Sequence, residues 1–276
     1  MSTIRGQRRF RTTVAALLCL PFIVPFLFLI STALRTPEDY RSDPGGLPRS
    51  LTLDNVVTAW NEADLGRALI NTLVVCVVAC AICCLTALAG GFWFRIHRGR
   101  FTGALQWVLV AGYAIPMVAW LIPVFVIAAN ADLTGNLVVA GVVNGVSSLP
   151  FAFYFIHTYY NQVLTREVLE AASLDGAGIS ATFWQIAVRI SAPALASIIA
   201  LVFVWTFGDL LVSATLLQAD PSAYTITLAA TSLTTREDVN LQGQAAAALV
   251  ALIPTLVVFA LAQRALARGF GGVSEK

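Results

Sequence analysis

Six long apolar runs dominate the sequence and restrict what it can fold into. They cover residues 13–34, 68–92, 105–129, 137–157, 193–217 and 245–263. Each run reaches the ~18–20 residues that a helix needs to cross the hydrocarbon core of a bilayer. Helices of soluble proteins seldom reach that length repeatedly, and a content of 58% hydrophobic and 12% charged residues is unusual for a soluble domain. The sequence therefore predicts an all-α membrane protein with six transmembrane helices.

The basic residues are distributed unevenly over the segments between these runs. If the N-terminus is cytoplasmic, the cytoplasmic segments hold Arg5, Arg8, Arg9, Arg11, Arg95, Arg98, Arg100, Arg166, Arg189, Arg264, Arg268 and Lys276. The outer segments then hold only Arg35, Arg41, Arg49, Arg67 and Arg236. Because cytoplasmic loops carry an excess of Lys and Arg, this asymmetry predicts a multi-pass protein in contact with membrane lipid, with both termini in the cytoplasm.

The charge and the lysine content limit the chemistry that the sequence supports. A formal net charge of +2 is close to neutral, so the composition gives no indication of a nucleic-acid partner. Lys276 is the single lysine, whereas a P-loop needs G-x-x-x-x-G-K-[ST] to bind the phosphates of ATP. The sequence also shows no catalytic serine motif. It therefore predicts a protein that is not an enzyme and has no cofactor of its own, and any ATP it depends on is hydrolysed by another polypeptide.

Four of the five cysteines lie in the second apolar run. Cys76, Cys80, Cys83 and Cys84 fall roughly on one face of a helix. They are too close together on one helix for a disulfide framework. A metal site is one interpretation of this cluster, and small residues that pack a membrane helix are the other. The second interpretation is favoured, so we expect no metal.

The segment EAASLDGAGISATFWQI, residues 170–186, differs from the apolar runs on either side of it. The pattern over 166–175 predicts a short amphipathic helix. Gly176 and Gly178 then permit a turn, and Ser180 is a candidate N-cap for a second helix. The residues alone fit an interfacial helix that merely anchors a loop as well as they fit a segment that docks on a partner.

The letters EAASLDGA resemble the EAA signature of ABC-importer permeases, and APAL farther on resembles the return into the membrane that follows it. In that family the segment is the coupling helix, which docks into a cleft of a cytoplasmic ATPase. The resemblance implies that the residues coupling this chain to an ATPase are Glu170, Ala171, Ala172, Asp175, Gly176 and Ala177.

Other stretches resemble one branch of that family, the carbohydrate importers of the maltose type. These stretches are ALINTL, IPMVAWLIPVF, LTGN, SLPFAFYFI and VFVWTFGDLL. The ending LAQRALARGFGGVSEK is similar to that of the second, maltose-G-like permease subunit. In that subunit the tail reaches the ATPase, so the resemblance implies a second ATPase contact at Gly269 and Gly272.

The resemblance implies a function and a set of partners. The chain would be a permease subunit in the bacterial plasma membrane that moves a sugar or sugar-like solute into the cytoplasm by alternating access. Its partners would be a second homologous permease, two cytoplasmic ABC ATPase subunits that hold ATP and Mg, and an extracytoplasmic solute-binding protein. The implied fold is that of a type I ABC importer permease.

The same resemblance implies three parts of the chain. Residues 1–66 would hold an N-terminal cytoplasmic segment, the first span and an outer loop. Residues 67–264 would form the transmembrane domain, with the EAA loop at 158–192. Residues 265–276 would be a cytoplasmic tail.

Three residues are candidates for the translocation path, namely Asn71, Trp205 and Asp209. An acidic residue inside a span usually faces a cavity or a partner, and Asp209 lies about nine residues from the outer end of its run, roughly 13 Å along a helix. Asp209 can line the path, serve as a structural hydrogen-bonding group, or act in an ion-coupled secondary transporter. Trp205 could stack on a sugar ring, although packing or an interfacial belt also explains it.

Two positions depart from the pattern of the family. Arg189 occupies the place of a usual proline four residues before Pro193, which changes how the return helix starts or lets the arginine extend to the interface. Gly208 replaces the asparagine of the family's W-N-[DE] pattern. Any substrate contact made by that asparagine is therefore missing here.

Overall fold

All regular structure in the described residues is helical. The computed structural model describes residues 2–97, 99–233 and 240–271, with side chains for 13–14, 18–97, 99–109, 111–233 and 240–263. The elements are α1 (Ser2–Leu34), α2 (Pro37–Ser42), α3 (Asp54–Glu62), α4 (Leu65–Ile96), α5 (Arg100–Gly112), α6 (Met117–Asn130), α7 (Leu137–Val163), α8 (Arg166–Leu174), α9 (Ile179–Ala181), a π-helical segment (Thr182–Ala187), α10 (Val188–Ile190), α11 (Ala192–Phe207), α12 (Leu211–Leu216), a 3₁₀ turn (Pro221–Ala223), α13 (Ile226–Ser232) and α14 (Leu241–Gly271).

The long helices coincide with the apolar runs of the sequence. Within the described residues, α4, α7 and the Leu241–Gln263 part of α14 are each long and apolar enough to cross a bilayer. A fourth candidate is the pair Ile179–Ile190 and Ala192–Phe207, which is bent by 67°. Shorter apolar helices cover Leu18–Leu34 and Met117–Asn130. The prediction of an all-α membrane protein is thus confirmed.

Two predicted spans are broken rather than continuous. The run at 105–129 divides into α5 and α6, with a break just before Pro116. Proline has no backbone N–H and disfavours a helical conformation in the residue before it, so the first helix ends upstream. The run at 193–217 divides into α11 and α12, with a break at Gly208. The length of an apolar run in the sequence therefore does not reveal either interruption.

Contacts divide the chain into two compact units, residues 1–66 with 229–253 and residues 67–228 with 254–276. In the second unit, α4, α7 and α11 form a shared core. Its buried residues include Ala79, Cys83 and Ala87 of α4, Ala152, Ile156 and Tyr160 of α7, and Ala194, Ile198 and Val202 of α11. Residues four apart lie on the same face of a helix, so α4 presents a stripe of small residues to larger side chains of α7 and α11.

Two glycines of α7 permit a close approach to α4. A Cβ added at Gly145 would lie 2.9 Å from the carbonyl oxygen of Ala79, and one at Gly141 would lie 2.6 Å from the Cβ of Val78. The sequence GVVNG therefore works as the small-xxx-small pattern by which membrane helices approach closely.

In the first unit, the segment after α1 folds around a buried ion pair. The Arg35 guanidinium donates to both carboxylate oxygens of Asp39, with Nε–Oδ2 and Nη2–Oδ1 distances of 3.1 Å. It also donates to the backbone carbonyls of Asp39, Asp43 and Gly46. The side chains of Arg35 and Asp39 are only 1% and 6% exposed. This segment, residues 35–53, is therefore held by one residue that satisfies five acceptors.

Arg35→Met is expected to release the 35–53 segment, because methionine keeps the length of the side chain but supplies no donors for these acceptors. Amide hydrogen exchange in 35–53 should then rise at least tenfold. The matched control is the exposed Arg41→Met, which should leave the exchange rates unchanged. Equal exchange in the two variants would contradict the structural role of the buried pair.

The same ion pair predicts how the segment responds to pH. The hydrogen bond from Arg35, helped by the backbone N–H of Arg49, lowers the pKa of Asp39 to about 2. A carboxyl group with a lowered pKa stabilises the fold above its ordinary pKa and loses that contribution as the pH falls through the lowered value. Protection of the segment should therefore persist from pH 7 to pH 5 and disappear near pH 2.

Candidate functional site

The residues of the EAA resemblance form the end of α8 and the turn after it. The N–H of Ala177 donates to the carbonyl of Ala172 at 2.9 Å, and the N–H of Gly176 donates to the carbonyl of Ser173 at 3.1 Å. Gly176 has φ +76°, a conformation that glycine adopts without strain. These features define a Schellman motif, in which a left-handed residue closes the helix C-terminus.

The Schellman motif explains the residue types at positions 175–177. Asp175 is the C-cap of α8, Gly176 supplies the left-handed conformation, and Ala177 closes the turn onto Ala172. Ala172 is buried at 5% exposed, and Ala177 is half-buried. Ala172 therefore supports the turn from its buried side.

The other predicted coupling residues lie on the opposite side of the turn. Glu170, Ala171, Asp175 and Gly176 are exposed, and Leu174 between them is 89% exposed. The amphipathic pattern over 166–175 predicts an apolar patch that includes Leu174, but the structure leaves this side chain exposed. The turn thus presents one apolar side chain between two carboxylates.

The inner face of α8 is packed on the core of its unit. Val168 and Leu169 pack against the buried cluster that α4, α7 and α11 share. The outer face carries an ion pair between Arg166 Nε and Glu170 Oε1 at 2.7 Å. This pair raises the pKa of Arg166, and a hydrogen bond with the Thr165 side chain is the main cause that lowers the pKa of Glu167. Both faces of α8 thus have defined surroundings.

After the turn, the chain enters the π-helical segment and is tied to α7. The Tyr159 hydroxyl donates to the carbonyl of Ile190 at 3.0 Å, and the Tyr160 hydroxyl donates to that of Ala187 at 3.5 Å. The Phe183 ring lies 5.2 Å from the ring of Phe92 on α4. The two halves of the EAA segment are therefore anchored to the same core helices.

Arg189 does not interrupt the helix at the position where the family has a proline. It lies exposed in α10, and the chain bends by 67° only at Ser191, between Ile190 and Ala192. The Ser191 hydroxyl donates to the carbonyl of Ala187, a local bond that often accompanies helix bending. The return helix α11 thus begins at Ala192, about one turn after the position of the family's proline.

The two broken spans meet at a cavity of about 570 Å³. One wall comes from the α5–α6 break, one from the middle of α7, and one from the α11–α12 break. Its lining includes Tyr113, Trp120, Asn144, Phe151, Trp205 and Asp209. Aromatic faces and a few polar groups in a concave site of this size are typical of a small-molecule pocket.

Asp209 lines this cavity and also caps α12. Its carboxylate accepts the N–H of Val212 at 3.4 Å and the N–H of Ser213 at 3.2 Å. Asn144 of α7 lines the same cavity, and its amide donates to the carbonyl of Ala140 at 3.1 Å. In this structure Asp209 therefore lines a cavity and also serves as a structural hydrogen-bonding group.

Trp205 lines the cavity with Asp209, but Asn71 has other contacts. The indole of Trp205 is 45% exposed and meets the Phe151 ring edge to face at 4.9 Å. The Asn71 amide is buried and donates to the carbonyls of Ser222 and Tyr224 at 2.9 and 3.0 Å. Asn71 thus holds a loop in place and is not among the residues that line this cavity.

Thr72 extends the role of Asn71. Its hydroxyl accepts the N–H of Ile226 at 2.8 Å and donates to the carbonyl of Ala68. The Asn-Thr pair at the start of α4 therefore fixes the chain from the 3₁₀ turn to α13. This bonding gives the ALINTL stretch a structural explanation.

The cysteines of α4 contact a neighbouring helix. The thiols of Cys76 and Cys80 face the carbonyls of Phe203 and Ile199 of α11 at 3.9 and 3.8 Å. In the described part of the chain, no group of three or more His, Cys, Asp or Glu residues could hold a metal ion. These thiols therefore pack helices against each other.

Sequence reasoning missed Asn144, a polar residue of α7 that lines the cavity with Asp209. An amide inside an apolar run was the available signal, since polar residues within spans usually have a partner. Of the C-terminal predictions, Gly269 lies within α14, and Gly272 lies outside the described residues.

Residues 83–272 match the model of the family described as binding-protein-dependent transport system inner membrane component. The match covers more than half of the chain. The chain belongs to this family. It is a multi-pass membrane transport subunit of an ABC importer, and ion-coupled secondary transport through Asp209 is not the function of this family.

Individual relatives cover nearly the whole length of this permease. It is 26% identical over 270 residues to the melibiose/raffinose/stachyose import permease MelC of Bacillus subtilis, covering 97% of this chain and 96% of that protein. It is 27% identical over 277 residues to the diacetylchitobiose uptake permease NgcG of Streptomyces coelicolor, covering 98% and 89%.

A solved structure shares the fold of the permease. It is a chain of a bacterial ABC transporter involved in the import of the acidic polysaccharide alginate. The TM-score is 0.75 with 18% sequence identity, over 94% of this chain and 97% of that one. The prediction of an ABC importer permease fold is thus confirmed.

Proposed function

We propose that the permease moves a sugar or sugar-like solute into the cytoplasm by alternating access. The two named relatives import oligosaccharides by their names, and nearly full-length similarity supports the same solute class here. The cavity supports it too, because aromatic faces beside hydroxyl and amide groups suit a ring with apolar faces and polar edges. The observation that carries the coupling part of the proposal is the exposed, Schellman-closed turn at Gly176.

The partners follow from how such a permease would be energised. Two cytoplasmic ABC ATPase subunits would hold ATP and Mg, since this chain has no P-loop lysine. A second homologous permease would complete the pathway, and an extracytoplasmic binding protein would deliver the solute, in keeping with the family's description. Both termini would be cytoplasmic, as the distribution of basic residues predicts.

The turn would receive the motion of the ATPase and pass it to the spans. Glu170 and Asp175 supply charge contacts, and Leu174 supplies an apolar one between them. Because α8 and the π-helical segment are packed on α4 and α7, movement of the turn cannot be absorbed locally. It would shift α11 through the 67° bend. Gly269 and Gly272 would add a second contact with the ATPase.

Glu170→Arg is expected to weaken association with the ATPase by about 30-fold or more, because reversing one charge at a docking site costs about 2 kcal/mol or more. Membrane insertion should be unaffected, since Glu170 is exposed. Co-purification of the tagged complex and its ATPase activity with the binding protein are the measurements. The matched control is Glu38→Arg, an equal change on the exposed surface of α2.

A double variant separates docking from stability of the helix. Arg166→Glu with Glu170→Arg retains an ion pair on α8 while it removes the carboxylate from position 170. If the double variant couples as poorly as Glu170→Arg, the carboxylate itself contacts the partner. Normal transport and co-purification by Glu170→Arg would contradict the proposed docking.

A further inference from the structure

The cavity at the two helix breaks has a consistent chemical character. Its aromatic lining includes Tyr113, Trp120, Phe151 and Trp205, and its polar lining includes Asn144, Ser147, Ser148 and Asp209. Its volume of about 570 Å³ lies within the ~300–1,000 Å³ of typical ligand pockets. Such a lining offers stacking faces and hydroxyl and amide groups for hydrogen bonds.

The described residues that line the cavity include an acidic group but no basic one. Asp209 is acidic, and no Lys, Arg or His occurs among the described residues that line the cavity. A solute carboxylate or phosphate entering it would lose hydration without gaining a cationic partner, which is unfavourable in a partly buried site. Repulsion between two like charges ~6 Å apart, at an effective dielectric constant of ~20, lowers the occupancy of the cavity by an anionic solute about 100-fold.

Asp209 is also held in one orientation. The backbone amides of Val212 and Ser213 donate to its carboxylate, and the Ser213 hydroxyl lies 3.5 Å from Oδ2. The side chain is half-buried, so it cannot swing freely away from the cavity. A fixed acceptor of this kind suits a sugar hydroxyl, which can donate to it.

We propose that this cavity is a glycosyl subsite that selects uncharged sugars, with Trp205 as the stacking surface and Asp209 as the residue that excludes anionic ones. The proposal rests on the proposed function and adds the charge class of the solute. It also assigns the subsite to this subunit.

The test measures binding to the importer assembled in nanodiscs, without ATP or binding protein, by isothermal titration. The probes are melibiose, maltose and cellobiose, each paired with the analogue whose terminal C6 hydroxymethyl is oxidised to a carboxylate. Each pair differs in charge and hardly in size. Neutral sugars are expected to bind at least ~10-fold more tightly than their acids.

Two variants distinguish the roles of the two residues. Asp209→Asn should lower the neutral-to-acid ratio to about 3-fold or less, and asparagine can still cap α12. Trp205→Leu should weaken the binding of neutral sugars by about 10-fold while leaving the ratio high. Asp220→Asn is the control, since Asp220 likewise accepts bonds from a serine, Ser222, but does not line the cavity.

The outcomes separate this inference from the proposed function. Equal affinity for neutral and acidic probes, a ratio that Asp209→Asn leaves unchanged, or no binding of any neutral probe would overturn the subsite. Failure of the complete importer to take up any sugar with ATP and binding protein would overturn the proposed function instead. If Asp209→Asn takes up neutral sugars with an unchanged preference over their acids, the subsite proposal is contradicted and the proposed function is not.

Discussion

Replacing Gly176 by proline is expected to abolish ATP-driven transport while the protein still inserts into the membrane. Gly176 has φ +76°, whereas proline fixes φ near −65°. Proline also removes the N–H that donates to the carbonyl of Ser173. The Schellman turn cannot form, so Glu170, Leu174 and Asp175 lose their common orientation. Coupling should fall at least 100-fold, measured as ATPase activity stimulated by the binding protein.

A graded series at the same turn makes the test specific. Gly176→Ala should have an intermediate effect, since an L residue in the left-handed region costs about 1–2 kcal/mol. Gly176→Asn should recover much of the activity, because asparagine tolerates this conformation better than most residues. Gly178→Ala is the matched control: φ there is −70° and no atom lies within 4 Å of an added Cβ.

The test depends on how the variants rank in ATPase activity stimulated by the binding protein. If the Gly176→Pro variant retains as much stimulated ATPase activity as the Gly176→Ala variant, the conformation of the turn is irrelevant to docking. If Gly178→Ala impairs coupling as much as Gly176→Pro, the whole segment is intolerant of change and the Schellman motif has no special role.

Gly145→Leu is expected to prevent the recovery of folded permease. An added Cβ at this position would lie 2.9 Å from the carbonyl oxygen of Ala79 and 3.2 Å from its Cα, so backbone atoms would have to move. Overpacking of a core costs about 1–3 kcal/mol and sometimes more. The variant should lower the melting temperature by roughly 5 °C or more, or yield only aggregated protein in detergent.

The control for this variant is Gly103→Leu. Gly103 lies in the apolar helix α5, and nothing lies within 4 Å of an added Cβ. Size-exclusion profiles and melting temperatures in the same detergent compare the two variants. A monodisperse Gly145→Leu protein with an unchanged melting temperature would show that α4 and α7 do not pack as closely as the structure has them.

The sequence predicted the helical part of the fold well because membrane helices depend on local information. Apolar length identifies a span without any tertiary contact, since the bilayer itself is the solvent. The breaks were predicted less well. Pro116 and Gly208 are visible in the sequence, but many prolines and glycines lie inside continuous membrane helices. Pro150 and Pro254 do so in α7 and α14.

The candidate sites divide in the same way. The turn at Gly176 was predictable because a Schellman motif is closed within about six residues. The path residues were not, since Asn71 and Asp209 are equally plausible polar residues near spans. Only the packing of distant segments distinguishes them: Asn71 meets the carbonyls of Ser222 and Tyr224, and Asp209 lines the cavity with residues of α6 and α7.

By itself, the sequence determined that the chain crosses a membrane, that it has no ATP-binding lysine of its own, and that a glycine-closed helix end lies between two apolar runs. These properties depend on composition and on residues a few positions apart. The tertiary structure decided that two broken spans share one cavity, that Ala172 supports the turn from below, and that Asn71 holds a loop. Those properties depend on contacts between residues far apart in the chain, which apolar patterning does not encode.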